Sequence, residues 1–313
     1  MGWRKQGVFY VPRRRGDWMV SHAQLPTVDL PGDGLARIYF GTRDAFNHTV
    51  TTYIEVKADD PREITYEHDA PVLARGELGS FDDGGAMPSC IVNKGGMKLL
   101  YYIGWNAGVT VSYRNSIGLA VSDDGGKTFT RLFRGPIMDR TRDEPHFVSA
   151  PWVMLDQGVW RMWYLGGVRW EIIDERPEPI YHIRYAESHD GVEWERRGVV
   201  CIDLKGPEEG GVTRPVVRKE NGVYRMWYAR RGRRDYRTNR RNTYRIGYAE
   251  SADGIEWERK DDQAGIDVSE DGWDSEMVAF GIPYESGGRR LMLYNGNGFG
   301  ASGIGYAVWE EGD

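Results

Sequence analysis

The sequence is poor in the features that define several protein classes. It has two cysteines, Cys90 and Cys201, without Cys-x-x-Cys spacing, which argues against a disulfide framework and a cysteine-based zinc site. No run approaches the roughly 18 to 20 apolar residues of a membrane helix, and the segment after Met1 lacks the apolar core of a signal peptide. We therefore expect a cytoplasmic protein without a membrane partner.

The chain also lacks an excess of positive charge and a long helical period. Its 41 Lys and Arg residues against 47 Asp and Glu residues give a net charge of −6, so we expect no nucleic-acid partner. The apolar segments are short and rich in β-formers, and the chain contains 41 glycines, 12 tryptophans and 18 tyrosines. This pattern predicts an all-β protein.

Three sequence elements recur along the whole chain. The first carries a proline, at Pro26, Pro88, Pro151, Pro215 and Pro283, with spacings of 62, 63, 64 and 68 residues. The second is aromatic, as in Trp160–Tyr164 and Tyr224–Tyr228. The third is an Ile-Gly-Tyr-Ala strand, as at Ile246–Ala249, followed in three copies by a Ser-x-Asp-Gly turn. Such a period indicates a repeat architecture.

The order of elements within each repeat predicts four antiparallel strands. Five repeats then predict a five-bladed β-propeller forming a single domain over residues 1–313. The segment from Trp3 to Gly7 aligns with Trp194–Gly198, whereas the last repeat stops after its third strand. We therefore expect the N-terminal segment to supply the missing strand and so cover an open sheet edge.

One face of this propeller collects most of the unusual polar residues. Acidic residues precede the innermost strands of repeats two to five, at Asp82–Asp83, Asp143–Glu144, Glu208–Glu209 and Asp274–Glu276, whereas Ser21–His22 precedes the first. Five-fold closure should bring these groups together, and converging carboxylates should push their pKa values apart. That arrangement suits cleavage of a glycosidic bond. Alternatively, the acids satisfy backbone N–H groups or bind an axial cation.

At these residues the sequence resembles the five-bladed propeller glycosidases of glycoside hydrolase families 43, 32 and 130. Phe81–Asp83 looks like the clan's second-blade aspartate, which implies that Asp83 modulates the acid and orients substrate. Asp143–Pro145 looks like its third-blade glutamate, which implies that Glu144 protonates the leaving oxygen. The sequence also resembles glycosidase-like proteins encoded among bacterial genes for polysaccharide or unusual-sugar biosynthesis.

The first blade departs from the clan's pattern because Ser21 and His22 stand where the clan has an aspartate. Glu276, beside the aromatic Trp273, is our choice for the missing carboxylate, with Glu209 and Asp44 as alternatives. His22 could also serve as the base, because its ordinary pKa near 6.5 suits proton transfer at neutral pH.

Arginines on the same face indicate an anionic ligand. Seven of them lie in the run from Arg230 to Arg241, which we interpret either as a ligand site or as a solvated loop or subunit contact with acidic neighbours. Arg43, Arg169 and Arg214 are placed nearer the predicted axis, where a guanidinium fork would bind carboxylate or phosphate. They could instead pair with the nearby acids.

The sequence therefore predicts a glycoside hydrolase that acts on an anionic or unusual sugar or oligosaccharide. Two alternatives are a nucleotide-sugar or phosphorolytic enzyme and a non-catalytic glycan-binding or scaffolding propeller. No cofactor or metal is predicted, although a structural divalent cation at the axis is left open. The predicted catalytic residues are Glu144, Asp83 and Glu276, and the predicted substrate-binding residues are His22, Arg43, Asp44, Trp105, Asn106, Arg169, Glu209, Arg214, Asp274, Asn295 and Asn297.

Overall fold

The computed structural model describes residues 2–310, and these residues form an all-β structure with almost no helix. Two three-residue 3-10 helices, Asp261–Gln263 and Gly298–Gly300, accompany the strands, and no helix among these residues is long and apolar enough to cross a membrane. The strands are β1 (Gly2–Tyr10), β2 (Ser21–Gly32), β3 (Leu35–Arg43), β4 (Thr49–Lys57), β5 (Asp60–Glu67), β6 (Gly85–Lys94), β7 (Met97–Ala107), β8 (Tyr113–Ser122), β9 (Thr130–Arg131), β10 (Val148–Asp156), β11 (Val159–Ile173), β12 (Arg176–Ser188), β13 (Glu195–Ile202), β14 (Glu209–Glu220), β15 (Val223–Gly232), β16 (Arg245–Ser251), β17 (Glu258–Arg259), β18 (Ala279–Ser286), β19 (Arg289–Asn295) and β20 (Ile304–Glu310).

Antiparallel pairing joins these strands into successive sets of four. The sets are β2–β5, β6–β9, β10–β13, β14–β17, and β18–β20 together with β1. Single parallel contacts, Thr49 with Gly85 and Tyr181 with Gly211, link the first set to the second and the third to the fourth. The predicted pairing of the N-terminal segment with the last repeat is confirmed, because β1 lies antiparallel to β20 with Trp3 opposite Trp309.

Short hairpins connect the first two strands of every set. In each case two residues separate the paired strand ends, and both have positive φ, the geometry of a type I′ turn. Glycine occupies the second position in all five turns because it adopts positive φ without steric cost. The turn residues are Asp33–Gly34, Gly95–Gly96, Gln157–Gly158, Asn221–Gly222 and Gly287–Gly288.

The Ser-x-Asp-Gly segments are structural turns, as the sequence predicts. At the second copy, Asp190 Oδ1 accepts hydrogen bonds from the backbone N–H groups of Val192 and Glu193, and Ser188 Oγ accepts one from Gly191. These backbone hydrogen bonds to Asp190 hold its pKa below the ordinary value.

The first strands of the sets contact one another in the order β2, β6, β10, β14, β18 and back to β2. Each contains the predicted proline, and four of them carry a bulge at a residue with positive φ: Leu25, Ala150, Arg214 and Phe280. A bulge re-aims a side chain relative to the regular pleat. Leu25, Ala150 and Phe280 consequently line the cavity at the centre of the structure.

Candidate functional site

A central cavity of about 510 Å³ is lined by residues from all five sets of strands. This volume is within the range of sites that hold small ligands. Aromatic side chains cover much of its wall: Trp105, Tyr113, Tyr181, Tyr236, Tyr244, Phe280 and Phe299. Polar groups are interspersed among them: Gln24, Arg43, Asn47, Thr49, Ser112, Asn115, Ser149, Thr213 and Arg237. Aromatic faces with scattered polar groups suit a saccharide, whose C–H faces stack on rings.

Arg43 ends β3 and lines this cavity. Its Nε donates to Gln24 Oε1 at 3.0 Å, and no carboxylate of residues 2–310 lies within 4.0 Å of its guanidinium. Burial without an anionic partner lowers the pKa of Arg43. Because a partly buried cation is stabilised by an anion, the remaining guanidinium donors of Arg43 are available to bind one.

His22 lies close to Arg43 at the edge of the site. Its Nδ1 is 2.8 Å from Ser21 Oγ. Burial, followed by the positive charge of Arg43, lowers the pKa of His22 to about 4. The imidazole is therefore neutral at pH 7 and adds no charge to the site.

Tyrosines and arginines form a second polar region of the cavity. The hydroxyl groups of Tyr181 and Tyr244 are hydrogen-bonded to each other, and Arg231 Nε donates to Tyr181 at 2.7 Å. The Arg231 guanidinium also lies 3.8 Å from the ring centre of Tyr236, whose hydroxyl donates to Glu178 Oε2 at 2.9 Å. Burial raises the pKa values of Tyr236 and Tyr244, so both are protonated at neutral pH.

The arginine-rich run packs against the long hairpin of β11 and β12. Arg233 Nε donates to Glu171 at 2.9 Å, Arg234 contacts Asp174 at 3.3 Å, and Arg237 pairs with Glu178. The interpretation of this run as a loop with acidic neighbours therefore describes most of it. Its contribution to the cavity comes from Tyr236 and Arg237, and Tyr236 is a residue that charge-based reading of the sequence missed.

The carboxylates predicted to converge at the centre do not line the cavity. None of its lining residues among residues 2–310 is Asp or Glu. Glu144, the predicted proton donor, is buried, and its carboxylate accepts hydrogen bonds from Tyr164 at 2.9 Å and Arg196 at 3.1 Å. Arg184 lies 3.5 Å away. The expected cluster of acids around a shared cavity is thus corrected by the structure. Some of these acids contact side chains of their own sets, namely Asp82, Glu144, Glu209 and Asp274, whereas Asp143 and Glu276 are exposed.

The same arrangement recurs in four of the sets. In each of these sets a carboxylate accepts a hydrogen bond from a tyrosine, which occupies the same position of the second strand every time. The carboxylate also pairs with a basic residue of the outermost strand. The groups are Asp82–Tyr102–Arg131, Glu144–Tyr164–Arg196, Asp261–Tyr228–Arg259 and Asp274–Tyr294–Lys5. The basic residue is opposite the alanine of the third strand each time. We call this arrangement the carboxylate–tyrosine–base triad.

The first set lacks every member of the triad, which explains its departure from the other repeats. Phe40 stands at the tyrosine position, so it has no hydroxyl that needs an acceptor. Glu67 stands at the position of the base and pairs with Arg15 instead. The absence of an acid at Ser21–His22 is therefore matched by a change in the packing of its own set.

The other predicted acids and arginines are held in local contacts. Asp83 accepts the Gly79 N–H at 2.8 Å, and Asp44 accepts those of Phe46 and His48. Glu276 is exposed. The remaining two pair with a partner outside the cavity: Arg169 with Glu171, and Glu209 with Arg259.

Arg214 is fully buried and binds the protein backbone. Its guanidinium donates to the carbonyl oxygens of Ser89 and Pro26 and to Thr27 Oγ1, which joins β14 to β6 and β2. Burial lowers the pKa of Arg214 to about 10. The prediction that Arg214 contacts a ligand is thus replaced by a cross-link between first strands.

The predicted asparagines also serve the protein's own loops. Asn295 is buried and bonds Leu25 N–H, Ala23 O and Gly303 O. Asn297 Oδ1 accepts from Glu276 and Met277, and Asn106 donates to Ser80 O. Of the predicted residues, Arg43 and Trp105 line the cavity. Within residues 2–310 no cluster of three His, Cys, Asp or Glu side chains could hold a metal ion.

The sequence was compared with those of known proteins. The sequence is 40% identical over 312 residues to the uncharacterized protein Rv1502 of Mycobacterium tuberculosis (strain ATCC 25618 / H37Rv), covering 99% of this chain and 100% of that protein. This protein belongs to the family of Rv1502. It is also 28% identical over 165 residues to a 1,2-beta-oligomannan phosphorylase of Thermoanaerobacter sp. (strain X514), about half of each chain. No family model matches the sequence.

Solved structures of low sequence identity share the fold of this Rv1502-family protein. A glycoside hydrolase aligns with a TM-score of 0.75 at 15% identity over 99% of this chain and 93% of the other. A thermostable family-43 glycoside hydrolase aligns with a TM-score of 0.69 at 17% identity, and the alignment covers 97% of this chain and 94% of the other. A GH130-family structure, described with glycoside hydrolases that target β-1,2 mannosidic linkages in Candida mannan, aligns at 0.71 and 16%, covering 99% and 94%. The fold is thus that of glycoside hydrolases and phosphorylases, and the expected resemblance to families 43 and 130 is confirmed.

Proposed function

We propose that this protein is a single-domain, five-bladed β-propeller that binds a saccharide bearing an anionic group in its central cavity. The observation that carries the proposal is the lining of that cavity: aromatic faces beside Arg43, which has no carboxylate partner among residues 2–310. Aromatic faces supply stacking for the sugar ring, and the guanidinium supplies a two-point contact for carboxylate or phosphate. The sets of strands described above would be the blades of the propeller.

Binding can be tested by titration calorimetry with charged and neutral forms of the same sugars. Suitable ligands are glucose 1-phosphate, mannose 1-phosphate and glucuronic acid, compared with glucose and mannose. We expect the charged sugars to bind more tightly than the neutral ones. The Arg43→Gln substitution should weaken the affinity for the charged sugars at least tenfold. Arg169→Gln is the matched control because Arg169 pairs with Glu171 outside the cavity. Equal affinity for charged and neutral sugars would refute the anionic group.

Hydrolysis by paired carboxylates is the second candidate, favoured by the glycosidase-type fold. Glu144 as proton donor, Asp83 as modulator and Glu276 as the third group stay predictions. The ion pairs of Glu144 count against that mechanism because a donor must reach the leaving oxygen. A phosphorolytic reaction or a purely glycan-binding role is compatible with the same cavity. Cytoplasmic location and a link to polysaccharide biosynthesis also stay predictions.

A further inference from the structure

A carboxylate does reach the cavity wall indirectly, through Tyr236. Glu178, on β12, is 8% exposed, and its Oε2 accepts the Tyr236 hydroxyl at 2.9 Å. Its Oε1 accepts from Arg237, a second lining residue. Glu178 thus links two side chains of the wall.

The surroundings of Tyr236 suit a phenol that loses its proton during a reaction. Guanidinium groups lie against its ring, that of Arg231 at 3.8 Å and that of Arg237 at 4.2 Å from the ring centre. Positive charge beside a ring stabilises the negative charge that develops on a phenolic oxygen. In the resting protein burial keeps the phenol protonated by raising its pKa, so a base is required. Glu178 is within hydrogen-bond distance to act as that base.

We propose that Tyr236 and Glu178 are a nucleophile–base pair acting on an anomeric carbon of a sugar bound in the cavity. This inference rests on the proposed saccharide site. Tyrosine acts as the nucleophile in some glycosidases, so the chemistry is available to a phenol.

The reaction has two steps. The Tyr236 oxygen forms a bond to the anomeric carbon, the bond to the leaving group breaks with its electron pair, and the phenolic proton passes to Glu178. Water then attacks the same carbon, the tyrosine oxygen departs and takes up a proton released by the water, and Glu178 returns its proton to solvent.

The leaving group follows from the charges of the cavity. Among residues 2–310 no Asp, Glu or His lines the cavity to protonate a departing alkoxide. A phosphate or nucleoside diphosphate departs as a stable anion and needs no such proton. Arg43, which has no carboxylate within 4.0 Å among these residues, would hold that anion. The substrate class is therefore a sugar activated through phosphate.

Glycosyl fluorides test the pair because fluoride also leaves without a proton. The purified protein is incubated with the α and β anomers of 2-deoxy-2-fluoro-mannosyl and 2-deoxy-2-fluoro-glucosyl fluoride. Intact and peptide mass spectrometry then locate any adduct. We expect one glycosyl group on Tyr236, its loss in Tyr236→Phe, and labelling at least 100-fold slower in Glu178→Gln. Tyr66→Phe is the control for an exposed tyrosine outside the cavity and should label normally.

Calorimetry on the same samples separates this inference from the proposed function. If mannose 1-phosphate or glucose 1-phosphate binds but the fluorides neither label the wild-type protein nor release fluoride, the reactive pair is refuted and the saccharide site stands. An adduct on another residue, or unchanged labelling in Tyr236→Phe, also refutes it. If only glucuronic acid binds, the phosphate-activated substrate is refuted and the anionic saccharide site stands, and if none of the charged sugars binds, both proposals fail.

Discussion

Replacement of Glu144 by Gln distinguishes a structural carboxylate from a proton donor. The carboxylate accepts from Tyr164 at 2.9 Å and pairs with Arg196 at 3.1 Å and Arg184 at 3.5 Å. The three charged side chains are only 6%, 16% and 17% exposed, so solvent screens them weakly. Removing the acid leaves two guanidiniums without their anion in a poorly solvated place.

The expected loss of stability follows from this geometry. Breaking a buried ion pair from one side costs about 3–5 kcal/mol. Gln retains the shape and one acceptor oxygen, so we expect a loss at or just below the lower end of that range, about 2–3 kcal/mol. A chain of 313 residues has an unfolding entropy of roughly 0.65 kcal/mol/K, so Tm should fall by about 3–5 °C.

Calorimetric Tm and a mutant cycle with Tyr164→Phe measure the effect. The double variant should lose about 1 kcal/mol less than the sum of the single variants because one hydrogen bond is removed by both. Asp143→Asn is the matched control, since Asp143 is 81% exposed and its only ion pair within residues 2–310 is with Arg142 at the surface. An unchanged Tm for Glu144→Gln, together with at least 100-fold slower hydrolysis of methyl mannosides or glucosides, whose leaving oxygen must be protonated, would refute the structural role and restore the proton donor.

Further predictions concern packing, the buried arginine and pH. Gly118→Ala should cost about 1–3 kcal/mol because its Cβ would lie 2.2 Å from Tyr102 Cζ, whereas Gly135→Ala, with open space around it, should leave the urea midpoint unchanged. Arg214→Met should lower stability by about 2 kcal/mol or more, because each buried acceptor left without a donor costs about 1–3 kcal/mol while relief of the buried charge offsets part of the loss; exposed Arg114→Met is the control, and equal Tm values for the two variants would contradict the cross-link. The pKa of His22 falls to about 4 on folding, so the unfolded chain takes up a proton that the folded one excludes, and stability should drop by at most about 3 kcal/mol between pH 6.5 and 4. His22→Asn should lose less stability than the wild type between pH 7 and 5 in urea titrations, and identical losses would disprove this contribution.

The glycine in the Ile-Gly-Tyr-Ala element is a feature of the sequence from which the carboxylate–tyrosine–base triads could have been predicted. Gly118 and Gly247 are opposite Tyr102 and Tyr228, and the tyrosine rings occupy the space of a Cβ at each glycine. At the corresponding position of the third set, Arg184 reaches toward Glu144 instead. Together with Phe40 in the first set, this covariation among the repeats could have assigned the acids to packing.

The sequence alone was sufficient for the strand order, the proline-bearing first strands, the turns and the strand supplied by the N-terminus. Those features depend on local chemistry, namely short apolar runs, glycine at positive φ, and side chains that bond neighbouring backbone groups. Tertiary structure decided that the acids before the first strands do not line the central cavity. Asp82, Glu144 and Asp274 precede their first strands, but loop conformation directs each carboxylate toward the tyrosine and base of its own set. The cavity wall likewise combines Arg43, Trp105 and Tyr236 from distant repeats. The spacing of the repeats can be read directly from the sequence. The direction of a side chain in an irregular loop cannot, because it depends on which partners folding brings within hydrogen-bond distance.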